Sequence, residues 1–261
     1  MTSDLKPIKE TILKILSIIT VNYNNAPGLQ KTIGSVFAQI FKNFEYIIID
    51  GGSTDGSLAI IESVKDKTTY WVSEQDKGIY NAMNKGIAVA KGEYLYFLNS
   101  GDELVENALQ KIFENKAYDS HFIIGEAKIG NHIFRKQKKL TLFDIFYIGI
   151  NHQSFFMKKD VFEIAGLYQE KYKITADSLH FISSLLKYNL SYIVLDVLVA
   201  IIEPGGVSTN SIDSNMQERY LYLQNEHPVL LNDYKELYRY RKLKIVSRII
   251  NTFKYRMTKN G

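Results

Sequence analysis

The run Tyr94 to Asp102, Tyr-Leu-Tyr-Phe-Leu-Asn-Ser-Gly-Asp, constrains the fold of this 261-residue chain more than any other stretch. Tyr94 to Leu98 is continuously apolar rather than alternating, the pattern of a strand covered on both faces inside a parallel sheet. The run stops abruptly at Asn99, Ser100, Gly101 and Asp102. Open α/β sheets bind ligands in the crevice outside the carboxyl ends of their strands, so a polar tetrad on a short turn marks a candidate site.

Three units of the same kind precede it. Leu16 to Val21 reads as a strand, followed by Asn22-Tyr23-Asn24-Asn25. Asn24 or Asn25 then caps a helix with Pro27 at its first position and Leu29, Ile33, Val36 and Phe37 at helical spacing. Tyr46 to Ile49 ends at Asp50, the loop Gly51 to Gly56 follows, and Ser57 to Val64 is the helix. Tyr70 to Val72 leads through Glu74-Gln75-Asp76-Lys77-Gly78 into a helix striped by Ile79, Met83, Ile87 and Ala90. Strand ends fall roughly 25 to 30 residues apart, the size of a βα repeat, which implies right-handed crossovers and a parallel sheet. After Asp102 the spacing predicts a helix over Glu103 to Glu114 and a hairpin of His121 to Ile129 with His132 to Arg135. A strand from Ser154 to Met157, helices at Asp160 to Ala165 and Asp177 to Tyr188, and a last strand from Tyr192 to Ile202 complete the pattern. Beyond about Ser208 the chain reads as helical and separate in character.

Several function classes are excluded by what is missing. No run of about 18 apolar residues exists, and Ile12 to Val21 is broken by Lys14 and lacks a small-residue cleavage site, so it reads as strand and the chain is expected in the cytosol. With no cysteine, any metal must be held by oxygen or imidazole. The net charge of +4 is unevenly placed: Lys235 to Gly261 holds nine Lys or Arg against one acid, leaving 23 against 27 in the rest. A nucleic-acid-binding chain would spread its positive charge over the folded domain, and no nucleic-acid-binding motif appears. Neither G-x-G-x-x-G after the first strand nor G-x-x-x-x-G-K-[ST] is present, which argues against a dinucleotide-binding dehydrogenase and a P-loop. Gly51-Gly52-Ser53 is flanked by Asp50 and Asp55, which repel a phosphate but accept hydrogen bonds from a base or ribose. Asp55 reads as a helix cap and Asp50 as a ligand contact, with loop capping as the alternative for Asp50.

Four segments together resemble family 2 glycosyltransferases of the GT-A fold: Ser17 to Asn24, Ile48 to Gly56, Asp76 to Gly86 and Phe97 to Asp102. The resemblance covers about Leu16 to Gly206, and the Asp-Gly-Gly-Ser and Asn-Ser-Gly-Asp spellings resemble the branch that builds bacterial O-antigen and capsular polysaccharides. It implies a Rossmann-like, mostly parallel central sheet with helices on both faces over residues 14 to 208; the helical extension over 209 to 261 is read from the residues themselves. It also implies a nucleotide-sugar donor, a UDP-sugar, bound across the first strand ends. Thr20 and Asn22 would line the nucleotide pocket, Asp50 would accept from the uracil ring, and Asp76 and Asn84 would flank base, ribose or phosphate. The family's metal motif falls on Asn99 to Asp102, with Asn99 on the nucleotide-sugar side. Where the commoner spelling is Asp-Ser-Asp-Asp, only Asp102 is kept of the acids, so one carboxylate with diphosphate oxygens and waters would hold Mg²⁺ or Mn²⁺. Lys77 and Lys85 are the alternative neutralisers of the leaving diphosphate, or simply solvated helix residues.

Inverting glycosyl transfer needs one general base for the acceptor hydroxyl and an electrophilic clamp on the departing diphosphate. The family's base is the Asp of a Glu-Asp pair opening a helix; the matching text here is Thr175-Ala176-Asp177, with Ala176 in place of Glu, so the resemblance makes Asp177 the catalytic candidate. An acid favoured by the helix dipole is the other reading of Asp177. His152 in Asn151-His152-Gln153 is a candidate contact to the acceptor or the diphosphate, or a structural hydrogen-bonder. Rival functions are a catalytically silent nucleotide-sugar binder and a sugar nucleotidyltransferase. The latter normally carries a basic Gly-rich loop after its first strand, and Asn22 to Gly28 has no Lys or Arg.

The acceptor implied by the resemblance is a saccharide or lipid-linked saccharide. Arg241 to Lys259 supplies a second expectation, because Leu243, Val246, Ile250, Phe253 and Met257 fall on one helical face and Arg241, Lys244, Arg248 and Lys259 on another. Such a helix suits either core packing or an anionic membrane surface on the cytoplasmic leaflet.

Overall fold

The computed structural model describes residues 15–114, 116–134, 138–141, 145, 151–205, 212–233, 235–236 and 239–240. Strand β1 (Leu16–Asn22) is buried along its whole length and lies parallel between β2 (Phe44–Asp50) and β4 (Tyr94–Phe97), with β3 (Tyr70–Ser73) parallel outside β2. The register sets Asn22 opposite Asp50 and Asp50 opposite Ser73, so these strands end level with one another. Beyond β4 the sheet becomes mixed. β8 (Phe155–Lys158) pairs antiparallel with β4 and with β6 (Phe122–Ile129), and β9 (Tyr192–Ile202) runs parallel to β6. β5 (Glu103–Leu104) forms the far edge against β9, and β7 (His132–Phe134) closes a hairpin on β6.

Helices α1 (Ala26–Phe37), α2 (Ser57–Ser63) and α3 (Ile79–Val89) follow the first three strands as the periodicity anticipates. Asn25 caps α1, accepting from Gly28 N at 3.2 Å, and Asp55 accepts both from Ser57 N at the start of α2 and from Ala26 N at the start of α1. Neighbouring strand residues bury on opposite faces: Ile19, Ile47, Leu95 and Phe97 join one cluster, and Ile18, Ile48, Tyr96 and Leu98 the other. That two-sided burial is why the apolar runs are continuous.

One expected element differs. Glu103 to Glu114 is not a single helix: Glu103 and Leu104 pair with Ile201 and Ala200, and only α4 (Ala108–Phe113) is helical, started after Asn107 in the left-handed region at φ 59°. Pairing with β9 covers an otherwise open sheet edge, a tertiary gain that local periodicity does not register. The later helices are α5 (Asp160–Ala165), stopped by Gly166 at φ 82°, α6 (Ala176–Leu186) and α7 (Ile212–Glu226). α7 packs on the body of the protein through Tyr222 and Leu223, both buried in the larger cluster. Arg241 to Lys259 lies outside the described residues. Among those described, no helix is long and apolar enough to cross a membrane.

Candidate active site

The level strand ends put Asp50 at a hub. Its carboxylate has no exposed surface and accepts from Asn22 Nδ2 at 2.6 Å, Ser53 N at 2.9 Å, Ser53 Oγ at 2.6 Å and Ser73 Oγ at 2.6 Å. Burial works to raise its pKa, but the donors from Ser53, Ser73 and Asn22 outweigh it and hold the group below its ordinary value. A carboxylate offers about four acceptor positions, so this one is already occupied by the protein. Asn22 is 3% exposed and its Oδ1, buried, has no partner among the described residues.

Next to this hub, two side chains pack close to Gly51. A methyl group on Gly51 would lie 2.5 Å from Asp76 Oδ2 and 3.1 Å from the Tyr23 ring, whose side chain is 66% exposed. Asp76 spends Oδ1 on Gly78 N at 2.8 Å. The lack of a side chain at Gly51 therefore lets the Asp76 carboxylate and the Tyr23 ring pack close against its backbone.

Two residues named from the resemblance sit elsewhere. Thr20 is fully buried, with its hydroxyl 3.0 Å from Tyr46 Oη, and does not reach the crevice. Asn84 is engaged on both sides of its amide, donating to Tyr168 O and accepting from Tyr168 N, and with Asn81 it holds Glu170. It clamps the 168–170 loop onto α3. Lys85 is paired with Glu74 at 2.7 Å, and Lys77 is exposed.

The second centre forms where β4 ends against α6 and the short 3-10 turn His152–Ser154. Asp177, 7% exposed at the start of α6, accepts from His152 Nδ1 at 2.6 Å on Oδ2, and from Tyr80 Oη at 2.9 Å and Ser178 N at 2.8 Å on Oδ1. His152 Nε2 lies 3.1 Å from Asn99 Nδ2, and Asn99 Oδ1 is buried without a partner among the described residues. Burial raises the pKa of Asp177, but His152, Ser178 and Tyr80 together overcome it and hold the carboxyl below its usual range. Burial pushes the Tyr80 hydroxyl well above its ordinary value, with the Asp177 charge adding to it, so it remains a donor.

Gln153, the next residue after His152, turns to the other carboxylate. It donates to Asp102 Oδ2 at 2.8 Å, while Glu203 N donates to Oδ1 at 3.0 Å. Asp102 is 5% exposed, and burial raises its pKa despite these donors. A buried carboxylate short of positive charge, with one further acceptor position free on each oxygen, suits a divalent cation. Among the described residues no group of three or more acidic or histidine side chains could hold a metal alone, so a cation here would complete its shell with oxygens from outside the protein. The Glu203 carboxylate packs against Gly101, in the space a side chain there would take.

Sequence reasoning missed Glu218. From α7 it accepts from Lys173 N, Ile174 N, Thr175 N and Thr175 Oγ1 at 2.6 to 3.1 Å, fixing the segment that delivers Asp177. Tyr80 was missed too, since it reads as one more apolar position on α3. The only available signal was an aromatic with a polar tip in a buried stripe, which generally finds a partner.

The model for Glycosyl transferase family 2 matches residues 17–180. A PGL/p-HBAD biosynthesis glycosyltransferase of Mycobacterium bovis is 29% identical over 213 residues, covering 78% of this chain and 83% of that protein. An uncharacterized glycosyltransferase of Mycobacterium tuberculosis is 47% identical over 88 residues, which span 33% of this chain and only 34% of that protein. Among solved structures, S. aureus TarS 1-349 in complex with UDP-GlcNAc superposes with a TM-score of 0.63 at 19% identity, covering 85% of this chain and 70% of that one. The mannosyltransferase PcManGT from Pyrobaculum calidifontis in complex with GDP-Man and Mn²⁺ gives 0.57 at 14% identity, covering 85% and 73%. At these identities the structural likeness speaks to the fold alone.

Proposed function

Since the chain belongs to glycosyl transferase family 2, we propose that it moves a sugar from a UDP-sugar to a hydroxyl of a saccharide or lipid-linked saccharide, with inversion at the anomeric carbon. The observation that carries this reading is Asp177, a carboxylate more than nine-tenths buried, held below its usual pKa and bound to His152 beside the strand end that presents Asn99 and Asp102. A charged acid is kept there at the cost of desolvation, which suits a centre that accepts a proton beside developing positive charge at a sugar carbon.

The nucleobase stacks on the exposed ring of Tyr23 and donates to Asp76 Oδ2, both of which lie against Gly51, while Asp50 holds Asn22 and Ser53 in place beside them. The unpartnered Asn22 Oδ1 receives a donor from the same ligand. Asp102 would hold the divalent cation, which when bound neutralises charge on the leaving diphosphate. The protein's share is to orient the sugar against Asp177 and His152 and to keep water from its anomeric carbon. TarS, solved with UDP-GlcNAc, supports a UDP-sugar as the donor, and the GDP-Man and Mn²⁺ of PcManGT support a divalent cation. The relative named as a PGL/p-HBAD biosynthesis glycosyltransferase supports glycosyl transfer as the reaction; an O-antigen or capsular sugar is the form of product proposed for it.

The test is a thermal-shift panel of nucleotide-sugars with and without Mn²⁺. A bound donor at about 100 times its Kd adds about 2.7 kcal/mol of stability. The stabilising donor is then offered candidate glycan acceptors, and the anomeric configuration of the product is read by NMR. Retention of configuration, or no stabilisation by any UDP-sugar, overturns the reading.

A further inference from the structure

The loop that delivers Asp177 is fastened at its start by one face of α3. Asn84 donates to Tyr168 O at 2.9 Å and accepts from Tyr168 N at 3.1 Å, and Asn81 Nδ2 donates to Glu170 Oε1 at 3.0 Å. Beside them, Tyr80 Oη lies 2.8 Å from Ile174 O. Gln169 and Lys171, on either side of Glu170, are exposed, so this stretch of the loop relies on the bonds that α3 makes to it. Segments held by few, solvent-exposed bonds open locally at low cost.

Asn81 has a second commitment. Its Oδ1 accepts from Lys77 N at 3.2 Å, in the turn where Asp76 Oδ1 accepts from Gly78 N at 2.8 Å. No side chain caps α3 at Gly78, so these are the side-chain bonds that secure the turn to the helix. The partners fix which way the amide lies, because a backbone N–H needs an acceptor and a carboxylate needs a donor. One planar group thus spans the turn that presents Asp76 and the loop that leads to Asp177.

We propose that Asn81 is a positioning residue that couples the two halves of the site: a donor bound at Asp76 steadies the 168–176 loop, and with it Asp177, through Asn81 and Glu170. This rests on the transferase reading above, in which the nucleobase meets Asp76 Oδ2. A ligand held on Asp76 fixes the turn from Asp76 to Gly78, and a fixed turn keeps Lys77 N on Asn81 Oδ1. An amide locked on that side is held against Glu170 on the other. Such coupling is reciprocal, so a seated loop favours the donor by the same factor. The consequence for the reaction is order: the carboxylate that takes the acceptor proton is set firmly in place when the donor is present.

Asn81→Asp tests the link without removing the bond to the turn. An aspartate there still accepts from Lys77 N and suits the first turn of a helix, but it meets Glu170 with a like charge. In hydrogen exchange on the full chain with UDP as the probe, UDP should slow the amides of residues 168–176 in the wild type about 5-fold or more. Asn81→Asp should still bind UDP by calorimetry and lose this protection. With the donor chosen by the thermal-shift panel, its kcat should fall several-fold. Adding Glu170→Gln should restore both, because glutamine donates to the aspartate while its oxygen still accepts from Asn84. A merely local role for Asn81 in α3 would give no recovery from a change 89 residues away. Protection that UDP does not bring in the wild type, protection kept in Asn81→Asp, or no recovery in the double variant overturns the proposal and leaves the transferase reading standing. A wild type that binds neither UDP nor any UDP-sugar removes that reading, and the proposal with it.

Discussion

The Tyr80 hydroxyl lies 2.9 Å from Asp177 Oδ1, 97 residues away in sequence, and 2.8 Å from Ile174 O, so its single proton is shared between two acceptors. The first half of the chain thereby adds to the donors, led by His152, that keep a carboxylate carried by the second below its usual pKa.

Tyr80→Phe should therefore act on Asp177 before it acts on packing. Losing a buried hydrogen bond to a charged group costs about 1 to 3 kcal/mol, which urea unfolding at pH 7 would measure. The pH dependence has a definite sign. The folded pKa of Asp177 is depressed, so its contribution is present above the unfolded carboxylate value of about 3.9 and is lost as pH falls through the folded value. Removing Tyr80 moves that folded value up and narrows the window of loss from below. The variant should then gain less stability than wild type between strongly acidic pH and pH 5.

Asp50→Ala and Asp102→Ala should separate two functions. The first strips four hydrogen bonds from the strand ends, so it should weaken UDP binding with or without metal and lower stability by roughly 2 to 4 kcal/mol. The second should leave UDP binding without metal nearly unchanged and abolish its enhancement by Mn²⁺. Calorimetry of UDP binding in both conditions checks both halves, and a wild type whose UDP affinity ignores Mn²⁺ sinks the second.

Glu218→Gln should reduce turnover from outside the crevice. One amide oxygen cannot replace a carboxylate that accepts from three backbone N–H groups and a hydroxyl. The expected loss is about 1 to 2 kcal/mol in stability and several-fold in kcat, with UDP affinity within twofold of wild type. Equal loss of UDP affinity would show that α7 supports the whole crevice rather than Asp177.

Removing everything after Glu236 should weaken sedimentation with anionic vesicles, because that stretch holds most of the basic residues of the charge-rich end of the chain. Each basic residue near such a surface contributes about 1 kcal/mol at low salt. Equal, salt-insensitive partitioning of both forms would assign the segment to protein packing.

Much of this was legible in the residues. Strand, loop and helix repeat visibly up to Asp102, and the polar tetrad after Leu98 marks the crevice because an apolar strand has no other reason to end so sharply. Asn99, Asp102, His152 and Asp177 each stood out alone as candidates. That His152 joins Asn99 to Asp177 was not, since such pairing depends on how β8 docks against β4. Thr20 was named from the resemblance, and a strand buried on both faces has no polar side to show which way its hydroxyl points; here it lies against Tyr46. Asn84 was named from the resemblance, and a polar residue on a helix gives no hint of the loop that it holds here. Glu103 and Leu104 read as helix because two residues of edge pairing are too short for any period to reveal.

His152 and Gln153 are consecutive, so a single peptide unit ties the group facing Asp177 to the group facing Asp102. Neither carboxylate can then be altered as an independent variable. A substitution at one pulls on the backbone that orients the other's partner, and a double-mutant cycle between Asp102 and Asp177 should show coupling although the two share no contact. A change of either residue in the turn therefore reaches both carboxylates at once, whichever one it was meant to alter.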